Sequence, residues 1–126
     1  MNGLLITGSI IVTSALIAYS LGIIAEQRKK KITFFVLIFI TIGILLDITA
    51  TLFMIVGSPN SPFTLHGFLG YSALGVMLVD VLLIWKRFRK YGVGADVPKN
   101  LHIYSRYAYL WWVLAYITGG LLVVLN

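Results

Sequence analysis

The chain has no cysteine, which excludes disulfides, thiolate metal sites and cysteine nucleophiles together. Charge is nearly as scarce: 11% of its 126 residues are charged, with four acids and two histidines in all. Soluble domains are about 25% charged and about 45–50% apolar. This chain is 60% hydrophobic and does not fit that class. Motifs of the common enzyme classes are missing as well: there is no G-x-S-x-G, no H-E-x-x-H, no P-loop and no G-x-G-x-x-G opening a helix. Gly92-Val93-Gly94 is only a fragment of the last, and it follows an apolar run. So few acid–base groups leave little room for soluble-type catalysis, and a non-enzymatic protein is expected.

What remains is long apolar segments separated by short polar ones. The formal net charge is +6, which on the number alone would suit nucleic acid. The placement argues against it, because nine of the ten Lys and Arg lie in two clusters, Arg28 to Lys31 and Lys86 to Lys99. Each cluster follows an apolar run, as membrane flanks with an affinity for anionic headgroups do. The bilayer is the expected partner, and nucleic acid is not.

A helix needs about 20 apolar residues to cross a bilayer. Four segments meet that length, about 3–25, 32–57, 63–85 and 101–125, and predict an all-α, up-down four-helix transmembrane bundle forming one domain over 1–126. In the first, positive charge follows the apolar run rather than preceding it, so an uncleaved anchor is expected. Ser14, Ala18 and Gly22 recur at every fourth residue there, a spacing that allows close helix contact. The connector SPNSP (58–62) is uncharged, whereas EQRKKK (26–31) and the stretch 86–100 are basic. Positive residues stay on the cytoplasmic side, so both termini are expected outside a cytoplasmic membrane.

The third segment organises the chain, because His66, Asp80 and glycines at 67, 70 and 75 all interrupt it. Such residues face protein, water or a bound group rather than lipid. Asp80 falls roughly 8 Å from the inner end of its span and Arg106 at a similar depth on the fourth. His102 and Arg106 are four apart and share a helix face. An Asp80–Arg106 ion pair is therefore expected, either fixing helix register or forming part of a proton path or ligand pocket; the remaining alternative is that the two never meet and Arg106 snorkels to the inner headgroups. Asp47, flanked by Gly43 and Thr51 on one face, has no basic partner at its depth. It is expected to carry a proton or to bond to the hydroxyls of Thr49, Thr51 or Ser72. Haem b is the cofactor to consider, since helix bundles hold it between histidines. His66 and His102 lie near opposite faces, on the order of 25–30 Å apart, too far to share one iron. A single-histidine haem with a second ligand from elsewhere remains open, and His66 is the candidate, with Gly67 and Gly70 leaving space beside its ring for a haem or quinone.

Three segments together carry a resemblance: GILLDITATLFM (43–54), FTLHGFLGYSALGVMLVD (63–80) and LHIYSRYAYLWWVLAYITGG (101–120). The chain resembles the HsmA-type family of small bacterial four-span membrane proteins. That resemblance implies a four-helix protein of the bacterial inner membrane and emphasises Asp47, Thr51, His66, Gly67, His102, Ser105 and Trp112. The chain departs from the pattern at Asp80, where a histidine is expected, which favours ion pairing there over haem ligation. The leading expectation is a membrane protein with an intramembrane polar site, at Asp47, Thr51, His66, Asp80, His102 and Arg106, that takes protons, haem or quinone. The alternatives are an accessory subunit of a larger membrane complex and, third, a small transporter acting as a homo-oligomer.

Overall fold

The computed structural model describes residues 3–57 and 65–125, and the side chains of these apart from residues 4, 5, 65, 66 and 120–125. Four helices follow in order: α1 (Gly3–Lys29), α2 (Phe34–Gly57), α3 (Leu65–Tyr91) and α4 (Lys99–Leu125). Within them Ile6–Lys29, Phe34–Gly57 and Gly67–Tyr91 are long and apolar enough to cross a membrane. The protein is thus a helical, membrane-embedded chain. α1 packs most extensively on α2, and α3 on α4, while α2–α3 and α1–α4 contacts close the ring.

The helices overrun the apolar segments at their charged end. α1 continues through Glu26 to Lys29, and α3 continues to Tyr91. Both stop in the same way. Lys30 (φ 55°) and Gly92 (φ 84°) adopt the left-handed conformation, and their N–H groups donate to Glu26 O (2.7 Å) and Phe88 O (2.7 Å). Such a residue satisfies a carbonyl left open at a helix C-terminus and turns the chain away. Gly94 (φ 81°) turns it again, so the Gly-Val-Gly stretch is a helix stop and corner. The two connectors then pair as an antiparallel ladder of two short strands, β1 (Lys31–Ile32) and β2 (Ala95–Asp96), with Lys31 opposite Asp96. Ile32 is fully buried beneath it. Thr33 opens α2, its hydroxyl accepting from the N–H of Val36 at 3.3 Å.

The α1–α2 seam is built on small residues. A Cβ on Gly22 would lie 2.7 Å from Ile40 Cγ2, and one on Gly8 3.0 Å from Met54 Cγ. One on Gly43 would strike the Cδ1 edge of the Tyr19 ring, 2.7 Å from Cε1. Ala18 and Gly22 lie in this seam as the four-residue spacing predicts, but Ser14 does not. Ser14 is exposed and donates to Ile10 O, while Ala15, one residue on, is fully buried.

Candidate functional site

The inner face of α4 carries a polar or aromatic residue at each turn that meets the bundle: His102, Ser105, Tyr109, Trp112 and Tyr116. The intervals of three and four keep all five on one stripe of a 3.6-residue helix. From His102 to Tyr116 the stripe covers about 21 Å at 1.5 Å per residue. Each member makes a hydrogen bond to another helix.

Nearest the connectors, Glu26 is fully buried and His102 almost so, with Glu26 Oε1 3.1 Å from His102 Nδ1. Gln27 Nε2 donates to Glu26 Oε2 (2.7 Å) and to the backbone oxygen of His102 (3.0 Å). Arg106 donates through Nε to Gln27 Oε1 (3.0 Å), and its Nη2 lies 3.4 Å from His102 Nε2. One neutral tautomer satisfies both ring contacts: Nδ1–H donating to Glu26, Nε2 accepting from Arg106.

One turn deeper, Ser105 donates to Asp80 Oδ1. Asp80 is fully buried, and among the described residues its Oδ2 has no hydrogen-bond partner. Deeper still, Asp47 Oδ2 accepts from Trp112 Nε1 (2.7 Å) and from Tyr19 Oη (3.1 Å). The Tyr19 and Trp112 rings meet edge to face with centroids 4.9 Å apart.

A second row runs between α1 and α4. Thr13 bonds Tyr116 (3.0 Å), Ser20 bonds Tyr109 (2.6 Å), and Gln27 bonds the His102 carbonyl (3.0 Å). These rungs stand seven residues apart on α1 and seven on α4, in opposite directions. Two antiparallel helices in heptad register produce that spacing.

Two expected contacts are replaced by others. Asp80 and Arg106 do not pair. Adjacent residues on a helix point about 100° apart, so with Ser105 facing Asp80, Arg106 turns outward to Gln27 and His102. The Asp47 carboxylate does not bond to the hydroxyls of Thr49, Thr51 or Ser72 but to Tyr19 and Trp112. Thr49 bonds back to Leu45 O and Thr51 to the backbone oxygen of Asp47, while Ser72 accepts from Trp111.

Both ring nitrogens of His102 are engaged, and among the described residues no group of three or more metal-binding side chains occurs. The side chain of His66 lies outside the described residues. A Cβ on Gly70 would meet no atom of the described residues within 4 Å.

Compared with family models, with curated proteins and with solved structures, the chain matches none. The site is therefore interpreted from its own chemistry.

Glu26, Gln27 and Tyr19 escaped the sequence reading. Their signal was spacing: Ala15, Tyr19, Ile23 and Glu26 continue one buried face, but EQRKKK looks like a turn once Glu26 is grouped with the cations behind it. Ser105 and Trp112, by contrast, were already emphasised by the resemblance, and they are the α4 groups that hold Asp80 and Asp47.

Proposed function

We propose that the protein is a non-enzymatic four-span membrane protein whose interior relays protons along the inner face of α4. The observation that carries this reading is the succession of three buried carboxylates, Glu26, Asp80 and Asp47, each hydrogen-bonded to that one face. Intramembrane acids and histidines are costly and mark ion or proton pathways when they line up. Carboxylates, hydroxyls and an imidazole each give and take protons, whereas indoles only donate. Asp80 is the central station, because its unpartnered oxygen is the acceptor open to an arriving proton. Glu26 and His102 form the entrance at the connector end.

The test is proton flux in liposomes enclosing a pH-sensitive dye, driven by a potassium gradient and valinomycin. Wild-type protein is expected to change the internal pH faster than protein-free liposomes do. Asp80→Asn keeps the shape and the Ser105 contact but cannot ionise, and is expected to return the rate to the protein-free level. A wild-type rate equal to that of empty liposomes overturns the relay, and the accessory-subunit role then takes its place.

The same reading makes α4 the fourth span, with both termini outside and the basic connectors in the cytoplasm. Charge asymmetry supports this, since no Lys or Arg occurs before Arg28, between Ile32 and Trp85, or after Arg106. The absence of native cysteine makes the assay clean. Ser58→Cys is expected to react with a membrane-impermeant thiol reagent on intact cells, and Tyr91→Cys only after lysis. The reverse pattern inverts the orientation.

A further inference from the structure

The charged end of the bundle carries two lateral grooves that the relay does not use. The larger, about 540 Å³, runs along α1 past Leu16, Leu21, Ile24 and Ala25 and ends at Arg28 and Lys29. The smaller, about 420 Å³, lies along α3 beside Leu82 and Trp85 and ends at Lys86 and Arg89. Both follow one plan: each is an open hollow on the face of a single helix, mostly apolar although Ser20 lines the larger, with two cations at its end nearest the connectors. Leu16 to Lys29 spans about 20 Å of helix. One leaflet contributes about 15 Å of hydrocarbon, with the headgroup layer beyond it. The apolar part of the groove therefore lies at acyl-chain depth and the two cations at headgroup depth. Among the described residues neither Arg28 nor Lys29 has an acidic partner, and both are exposed.

We infer that the α1 groove is a binding site for one anionic phospholipid of the adjoining leaflet, its acyl chain along Leu16 to Ala25 and its phosphate on Arg28 and Lys29. The charge pattern selects this occupant. A guanidinium matches phosphate oxygens in a two-pronged geometry, and a neighbouring ammonium adds a second positive charge. A partner helix seated in the same trough would need an acid at this end to satisfy the pair. A zwitterionic lipid would bring a like charge to it. The site is independent of proton relay, and lipid retention tests it without any flux measurement.

The experiment reconstitutes full-length protein in vesicles of equal phosphatidylglycerol and phosphatidylcholine, repurifies it through detergent washes, and quantifies retained lipid by mass spectrometry. Wild-type protein is expected to retain phosphatidylglycerol in preference. Arg28→Gln with Lys29→Gln is expected to lower that retention by about fivefold for each charge removed. Lys90→Gln with Lys99→Gln removes two exposed cations from the same end of the bundle and is expected to leave retention unchanged. Ala25→Phe fills the trough without altering charge and is expected to displace the lipid as well. Equal loss in both charge variants, undiminished retention in Ala25→Phe, or equal retention of the two lipids each overturns the site.

Discussion

Gly43→Ala is expected to destabilise the protein by about 3 kcal/mol, at the upper end of the range for overpacking a filled interior. The added methyl group would occupy space held by Cδ1, Cε1 and Cγ of the Tyr19 ring. That ring cannot swing clear. It is fully buried, it meets Trp112 edge to face, and its hydroxyl is tied to Asp47. Accommodating the methyl therefore means parting α1 from α2 or breaking the Tyr19–Asp47 bond. The other glycines set the scale. At Gly22 the obstruction is the Ile40 Cγ2 methyl, fixed to a β-branched carbon, with the Ile40 backbone nitrogen 3.1 Å away, so Gly22→Ala is expected to cost about 2 kcal/mol. At Gly70 nothing obstructs among the described residues, and Gly70→Ala is expected to be neutral or to gain up to about 1 kcal/mol from helix propensity. Thermal unfolding in detergent gives the order directly. Adding Tyr19→Ala to Gly43→Ala should cost less than the two single changes summed, because the second removes the object that the first strikes. Strict additivity would mean that Gly43 and Tyr19 do not meet.

The helices were legible in the sequence because the bilayer criterion is crude and strong: a long apolar run between polar connectors leaves few alternatives. Rotation of each helix about its axis was not legible. A helix apolar all round offers no stripe to say which side turns inward. Asp80 and residues 105 and 106 show the consequence, since depth alone placed Arg106 level with Asp80 and could not tell it from Ser105. The same ambiguity hid Tyr19 from Asp47. Its rotation is set by small residues, Gly22 against Ile40 and Gly43 against its own ring, which act through what they omit. The ladder between Lys31–Ile32 and Ala95–Asp96 was invisible for another reason. Two residues are too few for an alternating pattern, and the pairing exists because two helix stops deliver the connectors side by side.

Those stops give the connector end a second role. The ladder ties the α1–α2 connector to the α3–α4 connector, and the backbone bonds Gly94 N to Ile32 O (2.8 Å) and Val97 N to Lys30 O (2.9 Å) extend it. Glu26 lies just beneath, its carbonyl accepting from Lys30 and its carboxylate facing His102. The connector end of the polar row is thereby next to backbone that belongs to both halves of the bundle.

Replacing Asp47 by leucine is expected to cost about 2–4 kcal/mol, more than removing all the polar groups around it. The carboxylate oxygen Oδ2 accepts from both Trp112 and Tyr19, and its loss leaves an N–H and an O–H buried with nothing to receive them. An abandoned buried donor costs about 1–3 kcal/mol. Interhelical bonds inside membranes measure lower, at about 0.6 kcal/mol on average and about 1.7 at most. Two donors on one acceptor bring the sum to the stated range. Asp47→Asn retains an amide oxygen for both donors and should lose less than about 1 kcal/mol. The variant Asp47→Leu with Tyr19→Phe and Trp112→Phe removes acceptor and donors together, and should recover more than half of the loss seen in Asp47→Leu alone. Detergent unfolding of the four proteins gives these values, and no recovery in the triple variant would show that the trio does not share its hydrogen bonds. Proton flux separates structure from relay in the same set. The triple variant should fold yet conduct no faster than empty liposomes, because the carboxylate station midway along α4 is gone. A stable triple variant with wild-type flux would reduce Asp47 to a packing pin between α1, α2 and α4 and confine the relay to Glu26 and Asp80.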